Sequence, residues 1–370
     1  MLPRERVLLT LKREEPDRVP FDLEGFNREA MRLFREKTRS DSPDEYFGVE
    51  CELQRLYFSA TRLDPRERYL RYHELPPERY VAELPERPAE GTFTINEWGT
   101  AFVVGSNPAY DHFVAPLVGA KSIREIEEYP LPDFSADYRH THLDEAARRA
   151  RERGLAADGR MPMTIFEVAW QIRGFNELLT DFLMQEEWAA CLLDRITELA
   201  VFRARRFARA GVDLIQLGDD VGMEDRMIMS PAMWRKWFKP RLARIIALAR
   251  AIKPEVLFHY HSDGYVEPII PDLIEIGINV LNPVQPECMD PAKLKRLYGD
   301  RLAFWGTVGI QHTLPFGTPT QVEAEVKERI ETVGKGGGLY LSPTHVIAPE
   351  VPQENIRAFV DAAKKYGRYS

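Results

Sequence analysis

Residues 255–264, Glu255-Val-Leu-Phe-His-Tyr-His-Ser-Asp-Gly264, join an apolar run to a polar cluster. Because a short apolar run of this kind buries itself, residues 255–260 are predicted to form a strand in the protein core. His261 and Asp263 stand where the strand leaves that core, and on extended backbone both side chains point to the same side. The pair is compatible with half of a metal site, a proton-transfer pair or a structural hydrogen bond.

Strand and helix patterns alternate around this stretch, from residue 161 to the end of the chain. Such alternation implies a parallel sheet that helices cover on both sides. Strands are predicted at 161–167, 213–218, 255–260, 280–283, 302–306 and 339–342, with a seventh at 19–23. One more strand, from residues 90–105 or nearby, would complete a (β/α)8 TIM barrel, the α/β fold that we expect. An open doubly wound sheet is the alternative, but no glycine-rich dinucleotide fingerprint follows the first strand.

Residues 44–140 fit this alternation less well. Residues 92–104 read as a β-hairpin that turns around residues 96–99, and prolines cluster on either side. We expect a single domain over residues 1–370, in which residues of about 44–140 form an inserted hairpin region over one face of the barrel.

Composition and charge exclude several classes of protein. The chain has 50 Lys and Arg against 58 Asp and Glu, a net charge of −8, and no basic block, so a nucleic-acid or membrane partner is not expected. The first 20 residues lack the apolar core of a signal peptide, and no apolar run is long enough for a membrane helix. The three cysteines are dispersed, which fits a reducing compartment. A cytoplasmic protein is predicted.

Polar side chains follow most of the predicted strands. In a barrel, the carboxyl ends of the strands converge on one site, which makes these residues candidates for function. They are Glu167, Asp219, Asp220, His261, Asp263, Gln285, Thr307 and His345. Imidazole and carboxylate groups bind zinc, so His261 and His345 are candidate ligands together with Asp263 or another of these acids. The alternative is that each histidine only hydrogen-bonds a neighbouring carboxylate, and the residue types leave the two interpretations about even.

The remaining acids are candidates for catalysis. Asp219 and Asp220 follow a strongly apolar strand and are predicted to act as a general base or as metal ligands. Their structural alternative is a helix cap or turn, where Asp is common. Glu167 is a candidate catalytic residue or ligand, and its alternative is a simple ion pair with Arg173.

Five residues are candidates for contact with substrate. Gln285 and Thr307 follow strands, Met223 lies on the connection after Asp220, and Asn96 and Trp98 belong to the hairpin, which is a candidate lid. Methionine and aromatic side chains also serve as ordinary packing residues, which is the alternative for Met223 and for the hairpin.

Ten segments, in chain order, resemble the uroporphyrinogen decarboxylase superfamily, which also contains zinc-dependent methyltransferases that act with methylated corrinoid proteins. The segments are Arg4–Val7, Pro16–Pro20, Gly174-Phe175 with Asp181, Ser230-Pro231 with Pro240, His261–Gly264, Leu281–Gln285, Gly306, Leu314–Thr318, Gly337 to His345, and Val351-Pro352 with Glu354–Ile356. The resemblance implies a (β/α)8 barrel, in agreement with the strand count, and barrels of this superfamily often form homodimers.

The chain departs from the family pattern at two places. The decarboxylases carry an arginine-rich segment after the first strand, whereas this chain has Asp22 and Glu24 there, which would repel a polycarboxylate such as porphyrinogen. The methyltransferases have cysteine where Asp263 stands and a later zinc cysteine near the position of His345. The resemblance therefore implies a nitrogen- and oxygen-rich metal site that could accept divalent ions other than zinc.

Three hypotheses about function follow. The first is a methyltransferase that moves a methyl group between a small methylated substrate and cobalamin on a separate corrinoid protein, with zinc held by His261, His345 and Asp263. The second is a decarboxylase or lyase without a metal, in which Asp219 or Asp220 is the acid or base. The third is a non-catalytic barrel that binds a small ligand or partner.

Overall fold

The computed structural model describes residues 1–85, 88–106 and 111–369. The strands of this part are β1 Leu53–Leu56, β2 Phe93–Ile95, β3 Ala101–Val104, β4 Asp111–Val114, β5 Ala156–Gly159, β6 Leu214–Gly218, β7 Leu257–His261, β8 Val280–Val284, β9 Ala303–Val308 and β10 Leu339–Pro343. The helices are α1 Pro3–Leu11, α2 Arg28–Thr38, α3 Pro43–Phe47, α4 Pro65–Tyr69, α5 Ile123–Glu128, α6 His142–Glu152, α7 Phe166–Arg173, α8 Phe175–Met184, α9 Glu186–Ala210, α10 Pro231–Trp237, α11 Lys239–Arg250, α12 Ile270–Ile276, α13 Pro291–Tyr298, α14 Thr313–Phe316, α15 Pro319–Arg329 and α16 Gln353–Tyr366. None of the described helices combines the length and apolar character needed to span a membrane.

The chain divides into two compact units. The sheet unit contains residues 1–57, 144–162 and 207–370, and the hairpin unit contains residues 58–143 and 163–206. The assignment of the whole chain to one domain stays a prediction.

The sheet unit is built on seven parallel strands in the order β1-β5-β6-β7-β8-β9-β10, which confirms the α/β class. Val7 and Leu11 of α1 share one buried cluster with the first residues of six strands, from β1 to β9. Strands lie about 4.8 Å apart, so β1 and β9 would be about 24 Å apart in a flat sheet, more than one helix could bridge. The sheet therefore curls around α1, which covers the amino ends of its strands.

Residues 20–24 lie between the two edge strands of the curled sheet. Phe21 bridges Leu341 of β10 in parallel, and the Leu341 amide donates to the Pro20 carbonyl at 2.9 Å. On the other side, Arg55 of β1 forms ion pairs with Asp22 at 2.9 Å and with Glu24. The segment predicted as a strand at 19–23 thus occupies the place of an eighth strand with a single backbone bridge, in a fold that resembles a TIM barrel.

Two of the predicted strands are wrong, and one strand was missed. The strand of this region is β5, Ala156–Gly159, which ends before the predicted range 161–167 begins. The last residues of that range belong to the helix Phe166–Arg173. The region 90–105 does not complete the parallel sheet, because its strands pair antiparallel with each other. The missed strand, Leu53–Leu56, lies within the predicted insertion at 44–140 yet pairs in parallel with β5. Both β1 and β5 carry polar residues where a buried parallel strand is expected to be apolar.

The hairpin unit contains the antiparallel sheet β2-β3-β4. Phe93 pairs with Val103 and Ile95 with Ala101, so residues 96–99 form the turn between two antiparallel strands. Helices α7 and α8 and most of α9 belong to the same unit. That this unit is an insertion into a barrel stays a prediction.

Candidate metal site at the strand ends

The pleat of β6 and β7 decides which polar side chains at their carboxyl ends face the same side. Leu214 of β6 pairs in register with Leu257 of β7, and both belong to the cluster around α1. Because side chains alternate along a strand, every second residue from these two leucines faces inward. On β7 this rule places His259 and His261 on the inner face of the curled sheet.

The same alternation separates Asp219 from Asp220. Asp219 is 1% exposed, and its backbone amide donates to the His261 carbonyl at 3.0 Å, which continues the pairing of the two strands. Asp220 is the next inward position after β6, and its Oδ1 accepts a hydrogen bond from the Asp263 amide at 2.8 Å. Of the two predicted acids, Asp220 is therefore the one that joins the strand-end site.

Asp220, His261 and Asp263 form a compact group of metal-binding side chains. One ligand atom from each lies within 4.8 Å of the other two, and His261 Nε2 lies 3.8 Å from Asp220 Oδ1. Asp263 Oδ1 is buried without a hydrogen-bond partner. Burial raises the pKa of Asp263, with His261 and His345 opposing the shift and Asp220 adding to it. A buried carboxylate oxygen without a partner is costly, and a divalent cation would remove that cost.

Asn282 fixes the orientation of His261. The side-chain oxygen of Asn282 lies 2.7 Å from His261 Nδ1. Because an amide oxygen can only accept, Nδ1 is the donor, and Nε2 faces Asp220. A partner of this kind is the usual support of a metal-binding histidine. No role of its own was predicted for Asn282, and its position on a strand, three residues before Gln285, was the available signal.

Three glycines allow the loops after β6 and β7 to interlock. A Cβ atom at Gly222 would lie 2.5 Å from the Asp263 carbonyl oxygen, and one at Gly264 would lie 2.6 Å from the Met223 carbonyl oxygen. Gly264 also has a φ of +80°, which L-residues with a side chain rarely adopt. At Gly218, a Cβ atom would lie 2.8 Å from that of His261. The glycines thus bring the backbones that carry the two aspartates into contact.

Gln285 holds one of these loops. Its Oε1 accepts from the Gly264 amide at 2.5 Å, and its side chain is 5% exposed. Ser262 acts similarly, because its Oγ accepts from the Val221 amide at 3.0 Å. Gln285 was predicted to contact substrate, and the contact that the structure shows for its amide oxygen is with the protein backbone.

His345 lies outside the group that the structure brings together, although it was predicted to be a ligand. Its side chain is exposed, and its Nδ1 lies 3.4 Å from the Val346 carbonyl oxygen. After β10 the chain turns toward the amino-terminal segment, where Ile347 pairs with Phe26 in parallel. The described residues whose ligand atoms converge include Asp220 and not His345, and the role of His345 as a ligand stays a prediction.

Thr307 and Met223 occupy different environments at the strand ends. Thr307 is fully buried with a φ of +79°, and its carbonyl oxygen accepts from Arg329 Nε at 2.8 Å. Met223 is 50% exposed on the loop after Asp220. Contact of either residue with substrate stays a prediction.

The other three predicted site residues belong to the hairpin unit. Asn96 Oδ1 accepts from the amides of Trp98 and Thr100, at 2.9 and 3.0 Å, and so stabilises the hairpin turn. Trp98 is 6% exposed and packs on Phe134. Glu167 lies in the first turn of α7. Their predicted roles in substrate binding and catalysis are untested.

A closed ring of contacts, which we call the inner ring, lines the inside of the curled sheet below the metal-binding group. Its members are Asp22, Glu24, Arg55, Asp158, Arg160, His259, Trp305 and Tyr340. His259 Nε2 lies 3.0 Å from Asp158 Oδ1, and Arg160 contacts Asp158 at 3.1 Å and Glu24 at 3.6 Å. Arg55 then joins Glu24 to Asp22.

Aromatic side chains complete the inner ring. Tyr340 donates a hydrogen bond to Asp22 at 3.4 Å, its ring lies 4.3 Å from that of Trp305, and Trp305 stacks on His259 at 5.2 Å. Burial acts against the charge of Asp158, yet His259 and Arg160 hold the pKa of that carboxyl below its usual range. Burial lowers the pKa of His259.

Comparison with known proteins shows which family the chain is similar to. The uroporphyrinogen decarboxylase (URO-D) family model matches residues 110–366. A methylcobamide:CoM methyltransferase, MtaA of Methanosarcina barkeri, is 34% identical over 174 residues, which cover 47% of this chain and 48% of that protein. A uroporphyrinogen decarboxylase of Pseudomonas fluorescens is 23% identical over 280 residues, 71% of this chain and 72% of that protein.

A solved structure extends the likeness to the full length. A methyltransferase from Methanosarcina mazei superimposes with a TM-score of 0.66 and 22% identity, covering 99% of both chains. At this identity the likeness concerns the fold. The match to the methyltransferase of M. barkeri spans about half the length of either protein. From the family match, which covers well over half of its residues, the chain belongs to the uroporphyrinogen decarboxylase family.

Proposed function

We propose that the chain is a methyltransferase that moves a methyl group between a small methylated substrate and cobalamin on a separate corrinoid protein. Asp220, His261 and Asp263 would hold a divalent metal, zinc in the first instance, at the carboxyl ends of β6 and β7. The observation that carries the proposal is the convergence of these three ligand atoms within 4.8 Å, with Asp263 Oδ1 buried and without a partner. Similarity to a methylcobamide:CoM methyltransferase supports the reaction type.

The residues fit a zinc site of the catalytic kind. Three protein ligands leave one tetrahedral position open for substrate, and nitrogen and oxygen are accepted donors. When bound, the ion would polarise the substrate heteroatom as a Lewis acid. Asn282 holds His261 with Nε2 toward the other ligands, and Gln285 fixes the loop that carries Asp263. An aspartate in place of the family's cysteine makes the site harder, so manganese, iron or cobalt could replace zinc.

The fold supports a site at this position. We propose that residues 20–24 are the eighth strand of a (β/α)8 barrel, since they lie between β10 and β1. In such barrels, catalytic groups come from the carboxyl ends of several strands. The homodimer expected from the family resemblance stays a prediction.

The proposal is tested by metal analysis and methyl transfer on the same samples. Protein purified without chelator is compared with the Asp220→Asn/Asp263→Asn double variant by elemental analysis. Methyl transfer from a panel of methylated amines, ethers and thioethers to reduced cobalamin is followed by its change in absorbance. We expect about one metal ion per chain in the wild type, and loss of both metal and transfer in the variant.

A matched variant separates loss of metal from loss of charge. Glu50→Gln removes one carboxylate from a different part of the sheet unit, beside Arg18, and should keep metal and activity. Metal-free protein that transfers methyl groups at the full rate would refute the role of the ion.

A second candidate function is a metal-independent decarboxylase or lyase. The observation that favours it is the raised pKa of Asp263, caused by burial and by Asp220 beside it. Two interacting carboxylates with separated pKa values are a common acid–base pair. The sequence predicted this role for Asp219 or Asp220, and we propose that Asp220 shares it with Asp263, whose amide donates to Asp220 Oδ1. Turnover that persists in chelator and is lost in Asp263→Asn would favour this candidate.

A further inference from the structure

The inner ring contains two guanidinium groups, and each is already paired with two carboxylates. Arg55 Nη2 lies 2.9 Å from Asp22 and 3.2 Å from Glu24. Arg160 contacts Asp158 at 3.1 Å with one nitrogen and Glu24 at 3.6 Å with another. Each guanidinium keeps a buried Nε without a hydrogen-bond partner, but an anionic substrate group that approached either arginine would also meet these carboxylates.

The ring carries more negative than positive charge. Its three carboxylates, on Asp22, Glu24 and Asp158, face two guanidinium groups, which leaves a net charge of −1 when the carboxylates are ionised and His259 is neutral. Burial and the neighbouring Asp22 raise the pKa of Glu24, and Arg55, Arg160 and His261 oppose that shift. A divalent ion at the metal-binding group would offset Asp220 and Asp263 and leave this surplus in place. Asp158 is fully buried, so the surplus negative charge lies on Asp22 and Glu24, the partly exposed carboxylates beside Arg55.

The accessible members of the ring are Arg55, whose side chain is 26% exposed, and the two carboxylates that it pairs with. The side chains of Glu24 and Asp22 are 17% and 18% exposed, whereas those of Asp158 and Arg160 are 0% and 9% exposed. Glu24 also interacts electrostatically with His261, so it faces the same space as the metal-binding group. Gln216, 1% exposed and in register with His259, adds an amide oxygen without a hydrogen-bond partner to this interior.

From this arrangement, we infer that the methyl donor or acceptor of this chain is a cationic or uncharged compound, and that Glu24 is the residue that excludes anions. The inference rests on the proposed function, because it names the substrate class of the same site. The substrate class that we infer differs from the CoM named for the similar methyltransferase, because CoM is an anionic thiol. Like charges in a partly buried site repel strongly, while an ammonium group beside Glu24 gains the opposite interaction.

Three thiols that share one chain length test the inference. Cysteamine, 2-mercaptoethanol and 2-mercaptoethanesulfonate differ only in a cationic, neutral or anionic end group. Their dissociation constants are measured by calorimetry at pH 8, on wild type and on Glu24→Gln, with and without added Zn²⁺. Because the thiols differ in acidity, the quantity compared between proteins is the ratio of the sulfonate and cysteamine dissociation constants.

We expect that ratio to be at least about tenfold in the wild type and to fall by about tenfold in Glu24→Gln. Asp22→Asn is the second variant, in case Glu24→Gln does not fold, and it should shift the ratio in the same direction. Glu50→Gln, which changes the net charge equally but at a residue that is 54% exposed beside Arg18, should leave the ratio unchanged.

The outcomes separate this inference from the proposed function. Sulfonate binding as tight as cysteamine binding in the wild type, or the same ratio in both ring variants, would overturn the inference whatever the metal does. Absence of binding by all three thiols at tens of millimolar would overturn it as well. A charge preference that persists without Zn²⁺, in protein that binds no metal, would support the inference and refute the metal-dependent function.

Discussion

The two ends of the curled sheet both carry charged clusters, but these clusters are paired to different degrees. At the amino ends of the strands, Arg6 bonds Asp17 through two nitrogens, at 2.7 and 2.8 Å, and Arg18 reaches Glu52 at 2.6 Å. At the carboxyl ends, the nearest ring nitrogen and carboxylate of His261 and Asp220 are 3.8 Å apart. The first cluster is held by close arginine–carboxylate pairs, although both oxygens of Glu52 are buried without a hydrogen-bond partner.

The difference teaches how one scaffold separates stability from function. The amino end is closed by α1, and Arg4 ties that helix to Asp213 through two hydrogen bonds at 2.7 and 3.0 Å. Arg6 lowers the pKa of Asp17 to about 2, so this pair is ionised at any pH at which the protein is used. At the carboxyl end, the buried Asp263 Oδ1 without a hydrogen-bond partner lies in a group of converging metal-binding atoms, where a ligand can satisfy it.

The largest expected effect is at the amino end. Arg6→Ala removes a 5%-exposed guanidinium that faces Asp17 and Glu52, so it should lower the free energy of unfolding by about 3 kcal/mol. Urea denaturation measures the change, and metal affinity should stay within threefold of wild type. Arg32→Ala, which breaks only exposed pairs on α2, is the control and should cost less than about 1 kcal/mol. If Arg6→Ala lost metal affinity at unchanged stability, the amino end of the sheet would contribute to function and not to stability.

The second effect is at the carboxyl end and distinguishes two histidines. His261→Ala should weaken Zn²⁺ binding by at least about 100-fold, because it removes a ligand, while His345→Ala should change it by less than threefold. Competition with a chromophoric chelator measures both. In chelator, the free energy of unfolding of His261→Ala should lie within about 1 kcal/mol of wild type. Equal losses of affinity in the two variants would show that His345 moves to the metal.

The mostly apolar strands were predictable because a short run of apolar residues indicates a buried strand. The predictions at 213–218, 255–260 and 280–283 agree with β6, β7 and β8 to within two residues at either end. Most residues of these strands are apolar and buried, and polar residues such as Gln216, His259 and Asn282 interrupt the pattern without hiding it. The cap of α10 was equally visible, with Ser230 accepting from the Met233 amide and Pro231 as the first helical residue.

The missed and misplaced strands share one physical cause. β1 reads Leu-Gln-Arg-Leu and β5 reads Ala-Ala-Asp-Gly, and their inward residues Arg55 and Asp158 belong to the inner ring. Charged residues are buried there because their partners come from distant segments. Glu24, for example, is 31 residues from Arg55. A local pattern cannot reveal such pairing, so it favours a more apolar stretch nearby.

The candidate site was predictable where it depends on a single strand. His261 and Asp263 share a face through their spacing alone. The choice of Asp220 over Asp219 required the phase of β6, which its register with β7 supplies. The position of His345 outside the three converging ligand atoms depends on the path of the chain after β10, where Ile347 pairs with Phe26.

The third effect is a pH dependence at the amino end. Burial outweighs the attraction of Arg18 and Arg6 and raises the pKa of Glu52 to about 8. Between its usual value and pH 8, the folded protein keeps a proton that the unfolded chain releases, so stability falls as pH rises through this window. Glu52→Gln should remove that loss and unfold with a free energy higher than wild type by about 2 kcal/mol at pH 9, with little difference at pH 4.

Urea denaturation at both pH values measures this difference. Glu50→Gln, 54% exposed in the same cluster, should show no such change between them. A Glu52→Gln variant less stable than wild type at pH 9 would mean that Glu52 is an ionised partner of the two arginines there, and the amino end would then be held by that charge.

The smallest expected effect concerns two asparagines that bond residues of β7, Asn282 on β8 and Asn279 just before β8. Asn282→Ala removes the acceptor of His261 Nδ1, so the ring loses its fixed orientation, and Zn²⁺ binding should weaken by about tenfold. Asn279→Ala is its counterpart before β8, where the side-chain oxygen accepts from the Phe258 amide at 2.9 Å. It should lower the free energy of unfolding by about 1 kcal/mol and leave Zn²⁺ affinity unchanged. The two residues are three positions apart and make bonds of similar length, so composition cannot explain a difference between them. If both variants lost metal affinity equally, the two ends of the sheet would be coupled through β7, and their roles could not be assigned separately.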